Sequence, residues 1–132
     1  MENAAEELPN AGLLVTGDLI FSTKITGTAR MLGLQVQVIG SPGSVVERIR
    51  TESPRSIFLD LSVAGLTSEL IREIVSAAAG NPVVAFGTHV DTARLQAARD
   101  AGCTEVMPRS RLSAELPQLL TQYLRAPGTQ KL

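Results

Sequence analysis

Five short apolar runs, residues 12–15, 34–39, 56–61, 82–86 and 104–107, recur about every two dozen residues, and each is short enough for a β-strand. Leu13-Leu14-Val15, Ile57-Phe58-Leu59 and Val83-Val84-Ala85-Phe86 are continuously apolar, the pattern of strands covered on both faces of a parallel sheet. Leu34-Gln35-Val36-Gln37-Val38 alternates instead, which predicts an edge strand with one face toward water. Between the runs, apolar residues return at helical spacing: Phe21, Ile25, Ala29 and Leu32; Val45 and Ile49; Leu66, Leu70, Ile74 and Ala78; Ala97 and Ala101. A broader set, Leu112, Leu116, Leu119, Leu120, Tyr123 and Leu124, closes the chain. It makes a face wider than one core stripe needs, which predicts that part of it packs against a partner. Gly33, Gly80 and Gly102 stand where three helices should stop, and Pro82 follows Gly80 as a second stop signal. Pro117 is compatible with the last helix only if that helix starts near Ser113, with the proline in or just beyond the first turn. Five strand and helix alternations predict a three-layer α/β sandwich over residues 12–125, with tails at 1–11 and 126–132.

Composition agrees with one globular domain. Of 132 residues, 44% are hydrophobic and 19% charged, with a net charge of −1, too apolar and too balanced for a disordered chain. Aromatic residues make up only 3%, so Val, Leu, Ile and Ala must supply the core. Twelve Lys and Arg are matched by thirteen Asp and Glu scattered among them, which argues against a broad nucleic-acid face. A single cysteine, Cys103, and a single histidine, His89, exclude an internal disulfide, a Cys-rich zinc site and any two-histidine metal motif. The first ten residues are acidic and polar where a signal peptide would be basic and then apolar, and no apolar run is long enough to span a membrane. A soluble protein of the reducing cytoplasm is the expectation.

In open parallel sheets, ligands collect at the carboxyl ends of the strands. Those ends carry Thr16-Gly17-Asp18, Asp60-Leu61, Gly87-Thr88-His89 and Pro108-Arg109. Asp60 stands out, because an acid closing the most apolar strand is costly to bury without a partner or a purpose. Arg109 is the candidate partner.

With these residues placed, the stretch 12–124 resembles the receiver domain of two-component response regulators, the CheY-like family. Phe58-Leu59-Asp60-Leu61 followed by Gly65-Leu66 is similar to the family's phosphoacceptor strand and turn, with Ala64 in place of the usual proline. The run 82–86 looks like its fourth strand, and Ala101-Gly102-Cys103 before Thr104-Glu105-Val106 like the approach to its fifth. The resemblance implies a flavodoxin-like (βα)5 sandwich with strand order 2-1-3-4-5, and Asp60 at the phosphoacceptor position. It also implies a protein-contact face on the fourth helix, fifth strand and fifth helix, through Arg94, Arg99, Glu105 and Tyr123.

Other positions depart from the family. Thr16 and Gly17 stand where two acidic residues would hold Mg²⁺, with Asp18 one place late; Gly87 replaces a Thr or Ser, Val106 a switching aromatic, Arg109 a lysine and Ser110 a proline. Forming an aspartyl phosphate brings a dianion to a carboxylate, which a metal held by several oxygens offsets. The leading expectation is therefore a pseudo-receiver: not an enzyme, holding no cofactor, and acting by protein contact, with Asp60 paired to Arg109. Its partners would be proteins, a histidine kinase or a downstream output protein or domain, or a second copy of the chain, with no direct nucleic-acid or membrane contact. The alternative is a phosphoaccepting receiver, with Asp60 as nucleophile, Asp18 and Asp60 on Mg²⁺, and Arg109 on the phosphoryl group. A third reading, a flavodoxin-style small-molecule binder, lacks aromatic residues near the strand ends to stack on a ligand.

Other features read as structural. Asp18 is an N-cap for the helix beginning near Leu19, and Cys103 is a small buried hydrophobe. Residues 41–44 make a turn and helix cap, and Thr26-Gly27-Thr28 lies inside the first helix with Gly27 as its weak point. His89 is a solvated loop residue.

Overall fold

The computed structural model describes residues 11–125; both terminal tails beyond that range lie outside the described residues. Along the chain come β1 (Gly12–Val15), α1 (Leu19–Met31), β2 (Val36–Ile39), a 3₁₀ turn (Pro42–Ser44) and α2 (Val45–Glu52). Then follow β3 (Ile57–Asp60), α3 (Ser68–Ala78), β4 (Val83–Gly87), α4 (Thr92–Asp100), β5 (Glu105–Pro108), α5 (Arg109–Ala114) and α6 (Leu116–Leu124). All pairings are parallel, in the order β2-β1-β3-β4-β5. The register sets Leu13 beside Ile57 and Ile57 beside Val83. The expected order 2-1-3-4-5 is the one observed.

Alternation along the strands divides the core in two, because successive side chains point to opposite faces. Leu13, Val15, Ile57, Leu59, Val83 and Ala85 face one way, onto Val45, Ile49, Ile71, Ile74, Leu95 and Ala98 of α2, α3 and α4. Leu14, Phe58, Val84, Phe86 and Met107 face the other way, onto Phe21, Ile25 and Ala29 of α1 and the apolar side of α5 and α6. The three continuously apolar runs are the three central strands, covered on both faces. β2 is an edge strand with Gln37 exposed, as its alternation predicts, but Val38, which the alternation turns to the opposite face, is exposed as well.

Helix ends follow local chemistry. Asp18 accepts a hydrogen bond from the Phe21 N–H at 2.9 Å and so caps α1, Thr67 caps α3 through Leu70, and Asp91 caps α4 through Arg94. Gly33 and Gly80 have φ of +76° and +96°, the left-handed conformation in which a side chain is strained. Thr26-Gly27-Thr28 falls inside α1 as expected.

The structure corrects several details. The C-terminal segment is two helices, not one starting near Ser113: Pro117 has no N–H to continue α5, so a new helix begins at Leu116 with the proline in its first turn. Leu112, Leu116, Leu119, Leu120, Tyr123 and Leu124 are all buried in the chain's own second core, so the width of that face does not mark a partner surface. Leu66 is buried but precedes α3, whose inward stripe is Ile71, Ile74 and Ala78. α4 turns Leu95 and Ala98 inward, rather than Ala97. Neither Ser41 nor Ser44 makes a side-chain cap bond in the 41–44 turn, and Cys103 is only partly buried.

Candidate functional site

The carboxyl ends of β1, β3 and β5 bring Thr16, Asp18, Asp60 and Arg109 together. Asp60 ends β3 and is 1% exposed, so its charge is held almost entirely by protein. One oxygen, Oδ2, accepts from the Thr16 hydroxyl at 2.6 Å. The other, Oδ1, accepts from the Ser62 N–H at 2.9 Å, the Ser62 hydroxyl at 2.6 Å and Arg109 Nη2 at 3.2 Å. Burial on its own raises the Asp60 carboxyl pKa, but the Ser62 and Thr16 hydroxyls, the Ser62 N–H and the Arg109 charge outweigh it, and the net shift is downward. Asp60 is thus a stable anion with both oxygens engaged.

Arg109 begins α5 directly after β5, and its second nitrogen, Nη1, lies 3.5 Å from Asp18 Oδ2. One planar guanidinium therefore bridges two carboxylates through separate nitrogens, a fixed spread of donors that the single nitrogen of a lysine lacks. Its central carbon also lies 4.7 Å from the Phe21 ring centroid and 5.5 Å from that of Phe86. Those two rings meet at 5.4 Å and form an aromatic floor for the cation. Asp18 has two duties, since it also caps α1, and its own N–H donates to Thr16 Oγ1 at 3.1 Å. Thr16 and Asp18 thereby link β1, α1 and Asp60 into one network.

The donor set suits a standing ion pair better than a divalent cation. Mg²⁺ requires near-octahedral oxygen ligation, whereas the Asp60 oxygens are occupied by four protein donors and Asp18 is turned to Arg109 and to the start of α1. Among the described residues no three acids, cysteines or histidines converge. A side chain at Gly17 would meet no atom within 4 Å, so steric crowding does not explain the missing acid there. At Gly87 a Cβ would lie 3.4–3.5 Å from Leu61 and Leu95, which close over the space. Val106 is partly buried against the core under α2, α3 and α4.

All four residues expected on the contact face have partners within the chain, Arg99 through a 3.5 Å hydrogen bond to the Gln96 side-chain oxygen. Tyr123 is 9% exposed, sits edge-on to Phe58 with centroids 6.3 Å apart, and donates to Glu105. Burial, followed by Glu105, pushes its hydroxyl up to about 12. Glu105 also accepts from Arg111 at 2.8 Å. Arg94 donates to the Leu61 carbonyl at 2.8 Å and pairs with Asp91, while Arg99 is exposed. His89 is exposed in the loop after β4, and burial pushes the Cys103 thiol up to about 11.

Sequence reasoning places Asp60, Arg109 and Asp18 but misses three parts of the site. Ser62 is legible as an Asx-type turn, in which a residue two places after an acid bonds back to it. Thr16, which reads from the sequence only as a lost metal ligand, is a positive donor to Asp60. The Phe21 and Phe86 floor carries no local signal, because the two rings come from separate elements.

No protein-family model and no curated protein sequence matches the chain. Solved structures do match in fold. The receiver domain of a sensor histidine kinase from Pseudomonas aeruginosa PAO1, crystallised with a magnesium ion coordinated in its active site cleft, superposes with a TM-score of 0.75 at 20% identity, covering 89% of this chain and 99% of that one. A response regulator from Thermotoga maritima gives 0.73 at 16% identity, with 90% and 100% covered. The beryllofluoride-activated N-terminal receiver domain of Klebsiella pneumoniae RstA gives 0.75 at 21%, with 89% and 100% covered. The chain has the CheY-like receiver fold over nearly the whole length of these domains.

Proposed function

We propose, from the receiver fold shared with those structures, that this chain is a receiver-like signalling domain acting by protein contact, its acceptor-position carboxylate held in a standing network. One observation carries the reading. Asp60 is buried and accepts four hydrogen bonds, from the Thr16 hydroxyl, the Ser62 N–H and hydroxyl, and Arg109. An incoming phosphodonor would have to break several of these bonds to reach the buried carboxylate. Downstream, Gly87 has no hydroxyl to follow a phosphoryl group and Val106 no ring, so the two-state switch lacks its moving parts. Protein partners, a histidine kinase or an output protein, and a cytoplasmic setting complete the proposal.

The second reading, phosphorylation at Asp60, is favoured by the place of that residue at the end of β3, at the mouth of the sheet. Intact mass spectrometry after incubation with a small-molecule phosphodonor and Mg²⁺ separates the two. The expected outcome is an unmodified chain. A single phosphoryl adduct that Asp60→Asn abolishes would overturn the proposal.

A further inference from the structure

α3 and α4 pack on the same face of the sheet and diverge along their length. Near their far ends they meet, since a Cβ on Gly102, just after α4, would lie 3.4 Å from Val75 Cγ1 of α3. Toward their starts they part around a cavity of about 430 Å³, within the range of small-molecule sites, roughly 300–1,000 Å³. Small residues leave this gap, because α4 presents Ala93 and Ala97, one turn apart, along it. The helical spacing of Ala97 reads as core from the sequence, and the cleft is where that residue goes.

The floor of the cleft is apolar and its rim is charged. Leu66 and Ile71, 4% and 3% exposed, form the base, and the exposed Asp91 and Arg94 stand at the edge. Arg94 is held from two sides, since Nη1 donates to the Leu61 carbonyl at 2.8 Å and Nε lies 3.4 Å from Asp91 Oδ2. Its third nitrogen, Nη2, has no partner among the described residues. The side chains of Arg94 and Asp91 are each 48% exposed, so both keep room for a guest. Thr16, Asp18, Asp60 and Arg109 do not line this cleft, which makes it separate from the Asp60 network.

A guanidinium and a carboxylate side by side select a guest by sign. A guest with one charge is drawn to one of them and repelled by the other at a similar distance, so the two Coulomb effects largely cancel. A guest that carries a carboxylate next to an ammonium meets an opposite charge at each. Behind the charged rim, Leu66, Ile71 and Ala97 offer apolar surface to whatever those charges hold. One tetrahedral carbon bearing a carboxylate, an ammonium and an apolar side chain has its groups in that relation. We propose that the cleft between α3 and α4 binds a free α-amino acid with an apolar side chain. Its carboxylate sits on Arg94, its ammonium on Asp91 and its side chain on Leu66, Ile71 and Ala97.

Amide NMR of the full chain, titrated to about 20 mM with L-valine, L-leucine, L-isoleucine, L-methionine and L-phenylalanine in turn, tests this. At least one of them should give saturable shifts centred on residues 65–71 and 91–97. The matching carboxylic acid without the amine, and the matching amine without the carboxyl, should each bind about tenfold more weakly than that amino acid. Arg94→Gln should weaken the amino acid by about the same factor without weakening the amine, which leans on Asp91 alone. Ala97→Leu fills the cleft from a partly exposed position, and should abolish binding with the rest of the spectrum unchanged. The absence of saturable shifts with every amino acid, or shifts centred on Asp60 and Arg109, would overturn the proposal. So would a singly charged analogue that binds as tightly, or undiminished binding in either variant.

Discussion

Arg109 holds Asp60 and Asp18 together while lying over two rings, and the cost of removing it follows from what it leaves behind. Arg109→Ala strands a buried carboxylate. Breaking a buried pair this way costs about 3–5 kcal/mol, and because Asp60 keeps the Thr16 and Ser62 donors, urea unfolding should show a loss near the lower figure. Arg109→Lys keeps the charge but cannot fork to both acids, and a loss of about 1.5 kcal/mol is expected. Asp60 also makes stability depend on pH. Its folded pKa lies below the ordinary value of 3.8, so its contribution is complete above about pH 4 and disappears as pH falls through the folded value. The stability difference between wild type and Asp60→Asn should therefore be constant from about pH 5 to 7 and shrink below about pH 4. A difference unchanged down to about pH 2 would mean that the network does not hold the charged form.

Among the elements, the helix ends show where local rules and packing conflict. α3 ends on Ala79, a non-glycine residue at φ +52° in the left-handed region, directly before Gly80. An L side chain there is strained by about 1–2 kcal/mol, against an entropic cost of glycine of about 0.5–1 kcal/mol. Ala79→Gly should stabilise the protein by about 0.5–1 kcal/mol in chemical denaturation, and a destabilisation would show that the Ala79 methyl group makes a packing contact that outweighs the strain. The break between α5 and α6 is legible from Pro117. What the pattern does not tell is that the leucines on both sides of the break face one core. Their summed width resembles a partner surface because five residues of α6 are buried at once, against α1 and the sheet together.

For the molecule as a whole, one sheet separates two cores that share every central strand. Neither core can be lost without exposing the back of the other, so the domain should unfold in one step. Far-UV circular dichroism and the fluorescence of Tyr123, which packs in the second core, should give coincident urea curves; separated midpoints would show that the two layers melt independently. The same sheet directs chemistry by its polarity. Acidic caps and the Asp60 network lie where the strands end.

The sequence by itself determined the elements and their class, because apolar period and stop residues are local properties: continuous runs became central strands, the alternating run an edge. It also placed Asp60, Asp18 and Arg109 at one end of the sheet, since strand ends in a parallel sheet converge. Tertiary structure decided what these residues do to one another. That Thr16 donates to Asp60, that Ser62 closes its other oxygen, and that Phe21 and Phe86 support Arg109 depend on angles and distances that only the folded chain fixes. Hydrogen bonds and ring contacts act over a few ångströms, and only packing brings residues from separate elements that close.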